Sequence, residues 1–167
     1  MVSVRGLTGL FLAFAALLVV TGAAAAHRSN RRPVPGQRAA LAAVRRAVAA
    51  VNARDIDRYL AGCTEDVELR TPLAAIGGVY AGPDAIRRFF ADIEDTAPDF
   101  RLDLERVEAI DEDRVLAFLH LTASGRTTGI PTPADTTNLY EVVDGKISRI
   151  RIFLDRQEGL EAAGLRE

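Results

Sequence analysis

The stretch from Asn138 to Leu165 constrains the fold more than any other part of the chain. Two β-rich runs flank Asp144-Gly145, a dipeptide that favours the tight turn of a β-hairpin because such turns need positive φ angles. The second arm alternates, so its side chains divide between the two faces of a sheet. One face carries Ser148, Ile150, Ile152 and Leu154, and the other carries Arg149, Arg151, Phe153 and Asp155. A face that mixes charge with an aromatic ring predicts a partly polar cavity.

The composition is that of an ordinary globular domain. The 167 residues are 49% hydrophobic and 26% charged, which suits one domain able to bury a core of its own. Cys63 is the single cysteine, which excludes an intramolecular disulfide and a cysteine-based metal cluster. The net charge is −2 and the arginines are interspersed with acidic residues, so we expect no nucleic-acid partner.

The first 26 residues differ from the rest of the chain. Arg5 is their only charged residue, and the apolar run 6–26 ends in Ala24-Ala25-Ala26. Three interpretations stay open: a cleaved signal peptide, an uncleaved membrane anchor and a mistaken start codon. They predict a secreted, a membrane-anchored and a cytoplasmic protein respectively. Residues 27–36 contain two prolines and are interpreted as a linker, so the domain is expected at 37–165.

Helical periodicity is clearest from Gln37 to Asn52, where apolar residues recur at three- and four-residue spacing. Asp55 is expected to cap a short second helix, with Cys63 on that helix as a small core residue. Pro83 suits the first turn of a third helix that continues to Ile93.

Alternating residues predict strands at Asp66–Thr71, Asp99–Val107 and Arg114–Ser124, the last of them apolar on both faces as a central strand is. Residues 76–82 are expected to form a flexible crossing. The connection 125–133 is long for a hairpin and could hang over a cavity mouth. A short terminal helix follows the final hairpin. This order implies an α+β fold in which a curved antiparallel sheet wraps over helices.

Four segments resemble the nuclear transport factor 2-like (NTF2-like) superfamily and, within it, the SnoaL-like domains. They are Asn52-Ala53-Arg54-Asp55, Val67-Glu68-Leu69-Arg70-Thr71-Pro72, Val79-Tyr80-Ala81-Gly82-Pro83-Asp84-Ala85-Ile86-Arg87-Arg88-Phe89-Phe90, and the final hairpin with Phe153-Leu154-Asp155-Arg156. The resemblance covers about residues 37–165. It implies an α+β cone in which a curved, mixed or antiparallel sheet wraps over three helices and encloses a pocket. It also implies a homodimer formed through the outer sheet face.

Enzymes of this superfamily can be compared by position. Relative to ketosteroid isomerases, Ala47, Thr71 and Asn138 stand where a tyrosine, a catalytic base and a protonated acid would be. Relative to epoxide hydrolases, Asp155 falls on one catalytic acid, but leucines stand near the positions of the arginine and the second aspartate. Neither catalytic set is retained, so the resemblance specifies the fold better than the chemistry.

Two side chains are candidate catalytic groups. Asp155 could act as an acid or base, although the run from Asp155 to Glu158 also matches a capping box, which we favour. His120 is the only histidine inside the predicted domain and titrates near neutral pH. A one-residue shift of its strand decides whether it faces the cavity or the outer sheet face. Comparison with the relatives favours the outer face.

Six residues are candidate ligand contacts: Thr71, Tyr80, Asn138, Tyr140, Arg151 and Phe153. The first four supply polar points in an apolar pocket, although Tyr80 can equally pack in the core. Arg151 suits an anionic or carbonyl-bearing ligand, and a structural ion pair is the alternative. No metal-ligand or phosphate-loop spacing stands out, so we expect neither a metal nor a cofactor.

The sequence therefore predicts a conical domain that binds a small, largely apolar molecule. The second hypothesis is an isomerase, cyclase or hydrolase that uses Asp155 or His120 with Asn138. The third is a homodimeric interaction module with a vestigial pocket, in which Phe118 lies on the outer sheet face.

Overall fold

The computed structural model describes residues 33–72, 78–123 and 133–165. The predictions for residues 1–26, for most of the linker and for most of the connection 125–133 fall outside these ranges. None of the helices in the described ranges combines the length and the apolar character that crossing a lipid bilayer requires.

The described residues form four helices and six strands. The helices are α1 (Pro35–Asn52), α2 (Ile56–Ala61), α3 (Pro83–Thr96) and α4 (Arg156–Ala162). The strands are β1 (Cys63–Thr71), β2 (Gly78–Ala81), β3 (Arg101–Ala109), β4 (Arg114–Thr122), β5 (Ala134–Val143) and β6 (Lys146–Phe153). The predicted α+β class is confirmed.

Local sequence explains where the helices begin. Pro35 occupies the first turn of α1, where a backbone N–H would have no acceptor within the helix. Proline, which lacks this N–H, therefore loses no hydrogen bond there, and α1 starts inside the predicted linker. The Asp55 carboxylate accepts a hydrogen bond from the Arg58 amide at 2.9 Å, which confirms Asp55 as the cap of α2. Pro83 opens α3 as predicted.

The strands form one curved, unclosed sheet in the order β2-β1-β6-β5-β4-β3. β1 lies parallel to β6 and the other neighbouring pairs are antiparallel, so the sheet is mixed. Asp144 and Gly145 have φ angles of 50° and 75° between β5 and β6, which confirms the predicted hairpin. β4 lies between β3 and β5, and this explains why both of its faces are apolar.

Two predicted details are wrong. Residues 78–81, expected within a flexible crossing, form the edge strand β2 on β1. Helix α2 ends at Ala61 and Cys63 begins β1, so Cys63 does not lie on the second helix. Cys63 is nevertheless buried in the core, because the first residue of β1 lies beneath α2.

The sheet separates two apolar clusters. We call the face toward α1, α2 and α3 the inner face and the face toward α4 the outer face. Along β4, Val115, Ala117, Leu119 and Leu121 belong to the inner cluster, whereas Leu116 and Phe118 belong to the outer cluster. Gly159 lets α4 approach the sheet closely, since a Cβ atom there would lie 2.7 Å from Thr137 Cβ. The inner cluster surrounds the candidate site.

Candidate functional site

A cavity of about 50 Å³ lies between the inner face of the sheet and the helices. Its described lining is mostly aliphatic and phenylalanine side chains, with four polar side chains from Tyr59, Thr136, Asn138 and Tyr140. No carboxylate, histidine, lysine or arginine is among the described residues that line it. The hydrogen-bonding groups that face this cavity are therefore neutral amide and hydroxyl groups.

Three of the polar side chains form a row along β5. Thr136, Asn138 and Tyr140 share one face because alternate residues of a strand point the same way. Asn138 Nδ2 donates to the Tyr140 hydroxyl at 3.4 Å. Asn138 Oδ1 and Thr136 Oγ1 have no hydrogen-bond partner among the described residues, although each residue is only 4% exposed. A buried polar atom left unpaired costs roughly 1–3 kcal/mol, so the cavity favours an occupant that can pair with them.

Burial keeps the ionisable groups near the cavity neutral. It raises the pKa of Tyr59 well above its ordinary value and raises the pKa of Tyr140 as well, so both hydroxyls stay protonated at neutral pH. Burial also raises the pKa of the Cys63 thiol to about 11, and Cys63 Sγ donates to the Tyr59 carbonyl oxygen at 3.4 Å. Cys63 is a core thiol and has little nucleophilic thiolate.

Four of the predicted ligand contacts lie on the inner face of the sheet or at its edge. Asn138 and Tyr140 line the cavity. Thr71 is buried on β1, and Tyr80 packs against Phe89 with ring centroids 5.0 Å apart. Neither Thr71 nor Tyr80 is among the described lining residues, so the structure brings only Asn138 and Tyr140 together in the cavity.

Arg151 and Phe153 lie on the outer face. Their alternating neighbours Ile150 and Ile152 line the cavity, so β6 turns Arg151 away from it. The Arg151 guanidinium lies 6.0 Å from the Phe153 ring centre, and Phe153 packs against the outer cluster. Arg151 and Phe153 are therefore not among the described residues that line the cavity, because burial selects the aliphatic face of β6 for the inside, and their contact with a ligand stays a prediction.

Neither predicted catalytic group reaches the cavity. The Asp155 carboxylate accepts a hydrogen bond from the Glu158 amide at 3.0 Å, so it caps α4. His120 lies on the outer face, where its Nδ1 is 2.7 Å from Asp135 Oδ1. That hydrogen bond raises the pKa of His120 above its ordinary value. The favoured interpretations, a helix cap and an outward-facing histidine, match this geometry.

Sequence reasoning misses two of the polar lining residues. Thr136 precedes Asn138 by two positions, and extending the alternation of β5 backwards would find it. Tyr59 lies on α2, and its ring packs on Phe90 with centroids 5.1 Å apart. No spacing signal separates a tyrosine that lines a cavity from one that fills a core.

A second hollow of about 190 Å³ adjoins the cavity. The two spaces share Val51, Phe90 and Phe100 as lining residues, and Arg54 and Arg87 line only the 190 Å³ hollow. The Arg54 guanidinium donates to the Phe100 carbonyl oxygen at 2.6 Å. The cavity and the hollow are therefore neighbours that share three apolar side chains.

Comparison with known families identifies the fold family. A model of the SnoaL-like domain matches residues 44–150, more than half of the chain. The chain belongs to the SnoaL-like domain family. The matched range holds the four polar lining residues of this SnoaL-like domain and most of its sheet. A search of curated protein sequences returned no significant match.

Solved structures of the same fold are matched over most of both chains. TerC, crystallised with polyporic acid, is 24% identical with a TM-score of 0.64, and the match covers 75% of this chain and 98% of TerC. A protein proposed to be a polyketide cyclase, from Xanthomonas campestris pv. campestris, is 25% identical with a TM-score of 0.62 and coverages of 77% and 98%. RV0760c from Mycobacterium tuberculosis, in complex with estradiol-17beta-hemisuccinate, is 20% identical with a TM-score of 0.61 and coverages of 71% and 95%. The predicted NTF2-like fold is confirmed.

Proposed function

We propose that this SnoaL-like domain binds a small, neutral and largely apolar molecule that forms hydrogen bonds with Asn138 and Thr136. The observation that carries the proposal is the pair of buried, unpartnered atoms Asn138 Oδ1 and Thr136 Oγ1 in an otherwise apolar cavity. An amide oxygen only accepts hydrogen bonds, so it favours a ligand with a donor such as a hydroxyl group. A ligand that pairs with both atoms removes the free-energy cost of leaving them unsatisfied.

The charge of the cavity lining favours a neutral group beside Asn138 and Thr136, whereas Arg54, Arg87 and Glu94 line the adjoining hollow. None of the described lining residues is an acidic or basic side chain, and Tyr59 and Tyr140 stay protonated because burial raises their pKa values. A carboxylate moved into this space would lose its hydration without gaining a cationic partner. Binding fits the described cavity better than acid–base catalysis, since Asp155 and His120 both lie outside it.

The two adjoining spaces set the size of the ligand. The cavity of about 50 Å³ has room for a few water molecules, which is less than a ring compound needs. The adjoining hollow, which shares Phe90 and Phe100 with the cavity as lining residues, adds about 190 Å³. The ligand therefore places its hydroxyl group at Asn138 and extends its apolar body toward that hollow, displacing the partly buried Phe90 ring. TerC was crystallised with polyporic acid and RV0760c with estradiol-17beta-hemisuccinate, which supports the binding of a small molecule by this fold.

The proposal is tested with two probes of similar shape, 1-naphthol and 1-methylnaphthalene, of which only the first can donate a hydrogen bond. Affinities are measured by isothermal titration calorimetry for the wild type and for Asn138→Leu, which removes the amide with little change in volume. Asn138→Leu is expected to weaken 1-naphthol binding about tenfold, the equivalent of one hydrogen bond, and to leave 1-methylnaphthalene binding unchanged.

Arg151→Gln is the matched control, because Arg151 lies on the outer face of the same hairpin. This variant is expected to bind both probes as the wild type does. An unchanged affinity of Asn138→Leu for 1-naphthol would contradict the proposal, and so would an equal loss in Arg151→Gln. A wild-type protein that binds neither probe would contradict it as well.

A further inference from the structure

The outer face carries a compact group of metal-binding side chains that the proposed function does not use. Glu105, His120 and Asp135 each offer one ligand atom, and these atoms all lie within 4.8 Å of one another. The residues come from three consecutive strands of the sheet, β3, β4 and β5. The backbone hydrogen bonds of the sheet therefore fix their spacing, although the residues are far apart in sequence.

The strand register explains why these side chains meet. His120 lies directly opposite Asp135 on β5 and opposite Asp103 on β3. The register between β3 and β4 shifts between Leu104 and Arg106, which leaves Glu105 as the extra residue of a β-bulge. Bulges change the direction of a side chain, and this one leaves the Glu105 carboxylate beside the His120 ring.

Within the part of the chain that the structure describes, the group also lacks a basic partner. Among the described residues, Glu105 and Asp135 form no ion pair with an arginine or a lysine. The nearby Arg101 and Arg106 are already paired with other acidic side chains, each at 3.1 Å. Two carboxylates therefore lie beside one imidazole with no permanent positive charge between them, and a divalent cation would supply that charge.

We propose that Glu105, His120 and Asp135 form a binding site for one divalent transition-metal ion, with Zn²⁺ as the ion that fits best. One imidazole nitrogen and two carboxylate oxygens are ligands that Zn²⁺ accepts, whereas Mg²⁺ and Ca²⁺ take oxygen ligands. Tetrahedral bonds of about 2.1 Å place the ligand atoms of Zn²⁺ roughly 3.4 Å apart. The His120 and Asp135 side chains are 39% and 83% exposed, so small rotations suffice to close the group around an ion.

The site is independent of the cavity, because it lies on the opposite face of the sheet and shares none of the described lining residues. A bound ion would join β3, β4 and β5 and would stabilise the folded chain by an amount that grows with the logarithm of the free ion concentration above the dissociation constant. The sequence gives no sign of such a site, since its ligands are brought together by strand pairing and not by a short motif.

The proposal is tested by titrating the full chain, freed of metal, with ZnCl₂ in a calorimeter. We expect one Zn²⁺ per chain with half-saturation below about 1 mM, and binding at least about tenfold weaker in His120→Gln and in Glu105→Gln. Two controls are expected to bind with affinities within about threefold of the wild type. Asp103→Asn removes a carboxylate next to the group but outside it, and His27→Gln removes the other histidine of the chain.

Co²⁺ provides a second readout that a merely structural role would not change. The visible absorption of bound Co²⁺ is expected in the wild type and in Asp103→Asn, and is expected to disappear in His120→Gln while the circular dichroism of the variant stays the same. Absence of saturable Zn²⁺ binding by the wild type would overturn the proposal. Unchanged affinity in both His120→Gln and Glu105→Gln, or a loss in Asp103→Asn equal to theirs, would overturn it too.

Discussion

The two faces of the sheet differ in the burial and in the pairing of their polar side chains. On the inner face, Thr136 and Asn138 are buried among apolar side chains and keep atoms without a partner. On the outer face, many polar side chains are exposed and paired, as in the 3.0 Å contact of Arg149 with Glu141, although Arg151 Nε is buried without a hydrogen-bond partner among the described residues. Exposed ion pairs contribute little to stability, whereas buried unpaired atoms reduce it. The comparison indicates that folding leaves hydrogen-bonding capacity unused in the cavity, where a ligand can use it.

The centre of the outer face is covered by the chain itself. Phe118 is only 5% exposed and packs in the outer cluster with residues of α4. The guanidinium groups of Arg106 and Arg156 lie 4.2 and 4.6 Å from its ring centre. A homodimer through the outer face stays a prediction. A substitution of Phe118 is not a clean test of it, because the ring is already buried within one chain.

The largest expected effect comes from removing this outer packing. Phe118→Ala should lower the free energy of unfolding by about 3–5 kcal/mol, since the lost ring leaves a void beneath α4 and the two arginines lose their aromatic partner. Phe90→Ala, which truncates a partly buried ring on the inner face, should cost about half as much because solvent can enter the enlarged cavity. Urea unfolding followed by circular dichroism measures both values.

A further variant, Phe118→Leu, separates the contribution of apolar volume from that of the cation–π contacts. Leucine keeps most of the apolar volume but cannot form a cation–π contact, so its loss should be clearly smaller than that of Phe118→Ala. A loss in Phe90→Ala equal to or larger than that in Phe118→Ala would contradict the expectation that the buried Phe118 ring contributes more to stability than the partly buried Phe90 ring.

A smaller effect of opposite sign is expected at Thr136. Thr136→Val replaces a buried hydroxyl that has no partner by a methyl group, so it should raise the free energy of unfolding by about 1 kcal/mol. The matched control is Ser148, whose hydroxyl donates to the Glu141 carbonyl oxygen at 3.2 Å. Ser148→Ala should therefore lower the free energy of unfolding by about 0.5–1 kcal/mol. If both substitutions destabilise the chain in urea unfolding, the inner hydroxyl is not an unsatisfied group.

Much of the fold could be predicted because its signals are local. The turn at Asp144-Gly145 and the caps at Asp55 and Asp155 depend on residues a few positions apart, and the structure has all three. The parallel pairing of β1 with β6 has no local signal, so the sequence left the sheet as mixed or antiparallel.

The candidate site was harder to predict, because alternation along a strand defines two faces without saying which one is inside. On β6 the charged and aromatic face was expected to line the pocket, yet Ile150 and Ile152 do so. The helices that pack on the sheet decide this, and their placement depends on the whole chain. Asn138 and Tyr140 were found because their polar groups stand out on an otherwise apolar strand.

The smallest expected effect is the pH dependence contributed by His120 on the outer face. Its pKa is raised above 6.5, chiefly by the hydrogen bond to Asp135 and further by the charges of Asp135, Glu105 and Asp103, while desolvation opposes the rise. Because the folded-state pKa lies above the unfolded one, the stabilisation is fully present below a pH of about 6.5 and is lost as the pH rises through the folded-state pKa.

In EDTA-containing buffer, His120→Gln should be less stable than the wild type at a pH of about 5.5, and the difference should shrink by a pH of about 9. NMR titration should place the midpoint of His120 above 6.5 in the wild type and lower in Asp135→Asn. A difference in stability that is equal at both pH values would mean that the strength of the His120–Asp135 contact does not depend on the protonation of His120.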